Sequence, residues 1–585
     1  MGFAERCPGL AALSRPAREG RGGDDRLPAL PALPALPALP ALSADLCARI
    51  RAVAEEACRA AGALLREELY RPAGPRFSSA SKALADEEAE GLIRDHLERA
   101  FPSHGVIGEE LEGRDRDLRG EGEEEGLWWL IDPNDGTSSY IKGHRGSAVS
   151  LGLMYRRRPI FGAVYAFAYP DDEGDLLLGG EPTLFGPFTR NGVPVAPPTA
   201  PEALQDALLS VSQLADTLPF AQQRLSPSGR FLPRPSVAYR VALAAAGDVD
   251  VGVSLVGAGD WDVAAADALL RGVGRALYIA GGEVYPYCVG EGRARSPGEH
   301  LFGGDARHAA AVSRVRWRAL FDDPKERGTP PYGLLKPRRE LRARQSRALL
   351  PRAQGAVVGL LACAPQGAAA AAAALGRCVV AEEGYEPRGA AELSRRLKAL
   401  GLTPAVNLLG RAAVLGVWGA SGGVEAAAAW ARLDAEGAGG DAARGEAAAA
   451  CARLVGLLVG GGGREVPSAP DAALDAALDA ALDARDEALR AAARAARPLL
   501  AAGGAPGEEA LAGALSAARR AGGEEAAGLC GALCGARWGL RALPRAWWRR
   551  VETRREGREV WLWSVDALLV AEGLLCVGER GVARA

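Results

Sequence analysis

Trp128-Trp129-Leu130-Ile131-Asp132-Pro133-Asn134-Asp135-Gly136-Thr137-Ser138 decides how this 585-residue chain reads. Leu127 to Ile131 is a short apolar run bounded by charge, the pattern of a strand buried on both faces. Asp132 falls where that strand ends, and Pro133, which has no amide N–H, is expected to stop the ladder there. Asp132 and Asp135 lie three residues apart, so a tight turn brings both carboxylates to one side, where a hard cation such as Mg²⁺ collects oxygen ligands. The main-chain carbonyl of Asn134 can join them. Gly136 permits a backbone conformation closed to other residues, and Thr137 and Ser138 then offer N–H groups and hydroxyls to an anion. An ordinary solvated turn would use the same residue types, so other segments must decide between the two.

Three of them bear on it. His104 to Glu110 is a strand-like segment running into Glu109 and Glu110, and Glu109 is a candidate third ligand. Gly259-Asp260-Trp261-Asp262 opens an apolar, Ala-rich helix, with Asp262 in its first turn. Ala85-Asp86-Glu87-Glu88-Ala89-Glu90 begins a helix that continues through Leu92, Ile93 and Leu97. For Asp262 and Asp86 alike, simple helix capping is the alternative use.

Taken in order, Asp86 to Glu90, Gly108 to Glu110, Asp132 to Thr137 and Trp261-Asp262 resemble the motifs of the inositol monophosphatase superfamily, over about residues 43 to 312. These are Mg²⁺-dependent, typically lithium-sensitive phosphatases. The resemblance implies an α/β layered sandwich of alternating α and β layers. It also implies that Glu109, Asp132, Asp135, Asp262 and the carbonyl of Asn134 bind two or three Mg²⁺ ions. Asp86 and Thr137 would orient the attacking water, giving Asp86, Glu109 and Thr137 catalytic parts. Gly136, Thr137 and Ser138 would hold the phosphate. Asn134 replaces the family's isoleucine or leucine, and Ser138-Ser139 replaces its usual pair after the threonine.

The substrate end departs further. Inositol-specific members carry a ring-binding glutamate seven residues before the last metal aspartate, and that position is Leu255 here. Arg240, in Ser236-Val237-Ala238-Tyr239-Arg240, is a candidate for a second phosphate, as a bisphosphorylated nucleotide would require; a solvated helix arginine is the alternative. Lys82 and Lys142 read as surface residues.

Composition sets outer bounds. With 48% hydrophobic residues the chain can build two or more cores. A net charge of -3 implies no broad basic surface for nucleic acid, although Arg338 to Arg352 could form a local patch. The ten cysteines suit neither a disulfide framework nor zinc fingers, and reduced thiols point to a cytoplasmic setting. Residues 1 to 42 hold five tandem Pro-Ala-Leu units, whose prolines forbid a regular helix, so a disordered, extended spacer is expected. Organelle targeting by this segment stays open, against which stand Glu5, Glu19, Asp24 and Asp25. Gly355 to Gly376 is uncharged, but Pro365-Gln366-Gly367 interrupts it and buried bundle helices are expected rather than a membrane span.

From Leu46 to Leu64 apolar residues recur at helical spacing. Val149 to Tyr155 and Ile160 to Phe167 predict a hairpin around an Arg-Arg-Arg-Pro turn. Helix signals return over Pro201 to Leu214 and over Ser236 to Ala246. Residues 313 to 349 read as a basic linker. Residues 350 to 585, rich in Ala, Gly, Leu and Arg, predict an all-α domain. Within it Asp471, Asp475, Asp479 and Asp483 form a stripe that reads as a solvated face.

This second domain resembles the ADP-ribosylglycohydrolases, all-helical hydrolases that use paired Mg²⁺ ions. The resemblance lies in Arg352 to Leu360, Glu382 to Pro387, Asn407 to Gly419, Gly522-Gly523, Cys530 to Gly535 and Pro544 to Trp548. Its metal motifs are replaced by Gln366-Gly367-Ala368-Ala369 and by Gly522-Gly523-Glu524-Glu525-Ala526-Ala527. Alanine and glycine side chains cannot hold a dication, so a non-hydrolytic domain is expected, used for packing, dimerisation or nucleotide sensing. Glu524 and Glu525 could at most rescue one metal.

The expected function is therefore a Mg²⁺-dependent phosphomonoesterase acting by metal-activated water on a small phosphorylated metabolite of the inositol monophosphate or 3′-phosphoadenosine 5′-phosphate type. No nucleic acid or membrane partner is expected, and a homodimer is left open. The alternative is a non-catalytic nucleotide-binding or regulatory protein built around the second domain.

Overall fold

The computed structural model describes residues 38–71, 73–111, 126–212, 231–287, 300–314, 348–364, 408–438, 441–460, 472–502 and 504–552, with isolated positions between 372 and 379 and between 568 and 575. Most of the Pro-Ala-Leu segment and the basic linker lie outside these residues. The chain divides into two compact units, Met1–Pro331 and Tyr332–Ala585.

In the first unit α1 (Ala44–Leu69) starts at Ser43, whose hydroxyl accepts from the amide of Leu46 at 3.3 Å. Its apolar stripe, Leu46, Ile50, Ala54, Ala57, Ala61 and Leu65, is buried. Each fully buried aliphatic side chain of Leu or Ile size contributes about 1.5–3 kcal/mol. Next come β1 (Phe77–Ser79), β2 (Lys82–Ala83), α2 (Leu84–Ala100), β3 (Gly105–Gly108), β4 (Leu127–Asp135), α3 (Thr137–Ile141), β5 (Ala148–Tyr155), β6 (Arg158–Ala166), β7 (Asp175–Gly180), α4 (Pro182–Phe185), β8 (Thr189–Arg190) and β9 (Val193–Pro194). After a 3₁₀ turn at Leu204–Asp206 follow β10 (Leu209–Ser212), β11 (Phe231–Arg234), α5 (Val237–Ala245), β12 (Val251–Ser254), α6 (Asp260–Gly272), β13 (Ala276–Ile279), β14 (Leu301–Gly304) and α7 (Ala306–Ser313).

Two sheets result. The larger runs β3-β4-β5-β6-β7-β8-β9, with β3 parallel to β4 and the remaining pairs antiparallel; the smaller runs β11-β10-β12-β14-β13. Strand side chains alternate between faces. On the larger sheet Trp129, Ile131, Leu151, Leu153, Phe161 and Ala163 share the core with α1 and α2. Ser150, on the opposite face, donates its hydroxyl to the carbonyl of Trp261 in α6 at 3.0 Å. Helices α5 and α6 also contact strands of the smaller sheet, and α7 packs on β13 and β14. The unit is thus a layered α/β sandwich in which helices and sheets alternate.

Two expectations are corrected. Pro133 does not end β4, which continues to Asp135; its pairing with β5 shifts register between Asp132 and Asp135. A bulge spares the proline a ladder donor and redirects the side chains that follow. The helix expected over Pro201 to Leu214 is instead the 3₁₀ turn followed by β10, because Leu209 and Val211 are drawn into the core of the smaller sheet between β11 and β12.

In the second unit the described elements are helices: α8 (Leu350–Cys363), α9 (Leu408–Gly422), α10 (Val424–Gly437), α11 (Ala442–Gly460), α12 (Ala472–Asp483), α13 (Glu487–Leu500), α14 (Glu508–Trp538) and α15 (Arg545–Glu552). The backbone of α14 breaks at Gly522 and Gly523, where φ is -143° and +73°. Arg411 and Asp434 form a buried ion pair between α9 and α10. Ala477, Leu478 and Ala481 of α12 are buried, while Asp475, Asp479 and Asp483 face outward. Residues 366–369 and 382–387 lie outside the described residues. Among the described residues no helix is long and apolar enough to cross a membrane.

Candidate metal centre

Parallel pairing of β3 with β4 sets Gly108 opposite Ile131, so the chain leaves the two strands with Glu109 and Asp132 side by side. The amide of Glu109 donates to the carbonyl of Ile131 at 3.1 Å and fixes that exit. Asp262 comes from the first turn of α6, where its Oδ2 accepts from the amide of Gly259 at 2.6 Å. The capping use is real, and the same carboxylate also reaches the cluster. One oxygen each of Glu109, Asp132 and Asp262 lie within 4.8 Å of one another. Among the described residues this is the one group of three or more His, Cys, Asp or Glu so disposed.

Asp135 completes the acidic lining from the bulged end of β4. Its Oδ2 accepts from the hydroxyl of Ser236 and from the amide of Ala238, both at 2.6 Å. The carbonyl of Asn134 accepts from the Thr137 hydroxyl at 2.8 Å, and the amide of Asn134 donates to Asp132 Oδ1 at 2.9 Å. Gly136 holds φ at +97°, and a Cβ there would stand 3.1 Å from the amide nitrogen of Ser236, so glycine answers both strain and space. Ser138 is exposed at the start of α3, with Thr137 partly so.

Asp86 sits behind this loop. Its Oδ2 accepts from the amide of Ala83 at 3.2 Å, and its Oδ1 accepts from the side-chain amide of Asn134 at 2.9 Å. Burial, opposed in part by the Asn134 bond, pushes its carboxyl up to about 7.

Crowded acids out of water resist ionisation. Burial, then Glu109, Asp135 and Asp262, hold Asp132 well above the usual carboxylate range. Glu109 opens to solvent at the mouth, yet removal of its carboxyl from water, followed by Asp262 and Glu110, pushes it up to about 8. Burial and Asp262 raise Asp135 to about 7, and burial raises Asp262. A set of hard oxygen donors whose mutual repulsion a dication would relieve fits Mg²⁺ or a similar ion.

Arg240 is buried rather than solvated. Its Nη1 donates to the carbonyls of Arg234 and Pro235 at 2.6 and 2.9 Å, and its charge acts on Asp135 and Asp262. Leu255 packs against the core of the smaller sheet. In the second unit Glu524 pairs with Arg519 at 2.7 Å, and burial beside Asp486 raises Glu525 to about 7.

Three supporting residues escaped sequence reasoning as parts of the site. Ser236 carries Asp135, a link across the chain that spacing cannot announce. Glu90 accepts from the amides of Glu110 and Leu111 at 2.7 and 3.2 Å and pairs with Arg94, pinning the turn that presents Glu109. Lys82 bridges Glu87 and Glu110 at 3.0 and 3.1 Å. The Ala-Asp-x-x-x-Glu spacing was the available signal for Glu90.

The model of the inositol monophosphatase family matches residues 47–313. Inositol monophosphatase 3 of Solanum lycopersicum is 32% identical over 135 residues, covering 22% of this chain and 49% of that protein. Inositol-1-monophosphatase of Bacillus subtilis is 25% identical over 252 residues, 41% of this chain and 88% of that one. A protein of Escherichia coli K12 named Nus factor SuhB is 29% identical over 237 residues, 38% and 82%. The chain spans about half the length of the Solanum protein it matches. Among solved structures, the inositol monophosphatase of Anabaena (Nostoc) sp. PCC 7120 aligns with 45% of this chain and 94% of its own at 24% identity, with a TM-score of 0.34.

Proposed function

We propose that the first unit is a Mg²⁺-dependent phosphomonoesterase that hydrolyses a small phosphorylated metabolite. The observation that carries this reading is the convergence of Glu109, Asp132 and Asp262 from three separate elements to within 4.8 Å. Those three, with Asp135 and the Asn134 carbonyl, would hold the ions. Bound there, divalent cations neutralise phosphate oxygens and acidify water. The chain's own residues do the rest. Gly136, Thr137 and Ser138 receive the phosphate on the open side of the bulge. Asp86 and Thr137 orient the water. Arg240 offsets part of the acidic charge from behind Asp135. Two or three ions and sensitivity to lithium belong to the same proposal.

An apolar Leu255 at the position of the inositol-binding glutamate favours a substrate other than inositol monophosphate. Phosphate release by the full chain is to be measured with Mg²⁺ on inositol 1-phosphate, fructose 1,6-bisphosphate and 3′-phosphoadenosine 5′-phosphate, with Asp132→Asn as control. Loss of an outer-sphere partner costs metal sites about 10- to 100-fold, so loss of a ligand carboxylate is expected to cost at least about 100-fold. A folded wild type that binds Mg²⁺ and turns over none of the three refutes the reading.

A further inference from the structure

The side chain of Asn134 has no part in holding the cations or the phosphate. Position 134 lies in the bulge of β4, is buried, and carries isoleucine or leucine in the family the loop resembles. Asparagine is close to leucine in size but carries a donor and an acceptor. Its Nδ2 donates to Asp86 Oδ1 at 2.9 Å, bridging β4 to the first turn of α2. Its Oδ1 is buried without a hydrogen-bond partner. Leaving a buried acceptor unmade is unfavourable, and an apolar residue of the same shape would avoid that cost.

We infer that Asn134 is a positioning residue for Asp86, tying the carboxylate that orients water to the same bulge that presents the cation ligands. This inference rests on the phosphatase reading. The other Asp86 oxygen is fixed by the amide of Ala83. With both oxygens held, the carboxylate cannot rotate away from the loop. Thr137 joins the same unit, since its hydroxyl donates to the Asn134 carbonyl. A leucine at 134 would remove the tie from Asp86 to the side chain in the bulge, leaving it held by the amide of Ala83 and by Thr137. Asn134 then acts in two ways: its carbonyl, which would ligate the cation, accepts from Thr137, and its side chain holds Asp86.

The test is a cycle of Asn134→Leu, Asp86→Asn and the double variant in the full chain. Two readouts are taken, steady-state kinetics and calorimetric titration with Mn²⁺. Asn134→Leu is expected to lower kcat about tenfold with KM changed less than twofold, and the double variant to be no slower than Asp86→Asn. In the titration Asn134→Leu and Asp86→Asn should weaken the same, weaker binding event and leave the tighter one, made by Glu109, Asp132 and Asp262, in place. Losses that multiply in the double variant, or an unchanged isotherm and kcat, overturn the inference. A wild type that binds Mn²⁺ but hydrolyses nothing removes the phosphatase reading, and the titration cycle still decides this one. Variants are compared only where circular dichroism matches the wild type, and Asn134→Gln, which keeps the donor, should recover part of the loss.

Discussion

The hydroxyl of Ser236 donates to Oδ2 of Asp135 at 2.6 Å and accepts from the amide of Tyr239 at 2.8 Å, so one side chain caps α5 and steadies a candidate metal ligand. Removing such a cap costs about 1 kcal/mol. Ser236→Ala should therefore lower Tm by about 2–4 °C and raise the Mg²⁺ concentration for half-maximal turnover several-fold. Scanning calorimetry and a Mg²⁺ titration of activity check both. A Tm loss with unchanged Mg²⁺ dependence would reduce Ser236 to a cap.

Without divalent ions, the acidic cluster makes the fold less stable as pH rises. Unfolded carboxyls titrate near about 4, whereas Asp135 is raised to about 7 and Glu109 to about 8. Between those values the native state binds more protons than the unfolded one, so stability from these groups is full below about 4 and is lost as pH rises through about 7 to 8. In chelator, Tm should fall from pH 5 to pH 8 more steeply for wild type than for Asp132→Asn. With Mg²⁺ the fall should disappear, because the ion binds the deprotonated acids and releases their protons. Equal slopes in the two proteins would show that the cluster does not titrate as a unit.

How far this was legible depends on the range of each interaction. Leu127 to Ile131 and the hairpin of β5 and β6 follow from local pattern, and the acids Glu109, Asp132 and Asp262 from spacing and motif order. Pro133 misled, because a missing donor ends a regular ladder but is tolerated in a bulge, and a bulge is fixed by the neighbouring strand. Leu209 to Ser212 misled because the helix-favouring residues Glu202 to Leu208 run straight into it, and its placement between β11 and β12 makes it a strand. The Asn134 side chain reads as a passive substitute until Asp86 is seen beside it.

Glu90 and Arg94 are both fully buried and bonded at 2.7 Å, and Glu90 also holds the amides of Glu110 and Leu111. Breaking a buried pair strands its partner's charge and costs about 3–5 kcal/mol. Glu90→Leu should destabilise the first unit by that order and weaken Mg²⁺ binding, as the turn carrying Glu109 loses its anchor. Replacing both residues with apolar ones should recover stability while Mg²⁺ binding stays weak. Urea unfolding and calorimetry separate the two effects, and full recovery of Mg²⁺ binding in the double variant would deny Glu90 its role in holding the turn.

In the second unit α8 and α14 meet backbone to backbone. A Cβ on Gly359 would stand 2.1 Å from the carbonyl oxygen of Gly531, and one on Gly535 would stand 2.0 Å from that of Gly355. Gly355 and Gly359 are one helical turn apart, as are Gly531 and Gly535, so each pair forms a flat strip on one face. Neither carbonyl can yield without breaking its own helix. Overpacking usually costs about 1–3 kcal/mol, and Gly359→Val should reach at least the upper end of that range. Gly513 is also within α14, but a Cβ there meets nothing within 4 Å. Gly513→Ala should instead stabilise by about 0.5–1 kcal/mol through helix propensity. Urea midpoints of the two variants should therefore move in opposite directions; a Gly359→Val midpoint equal to wild type would mean that the helices do not cross at these glycines.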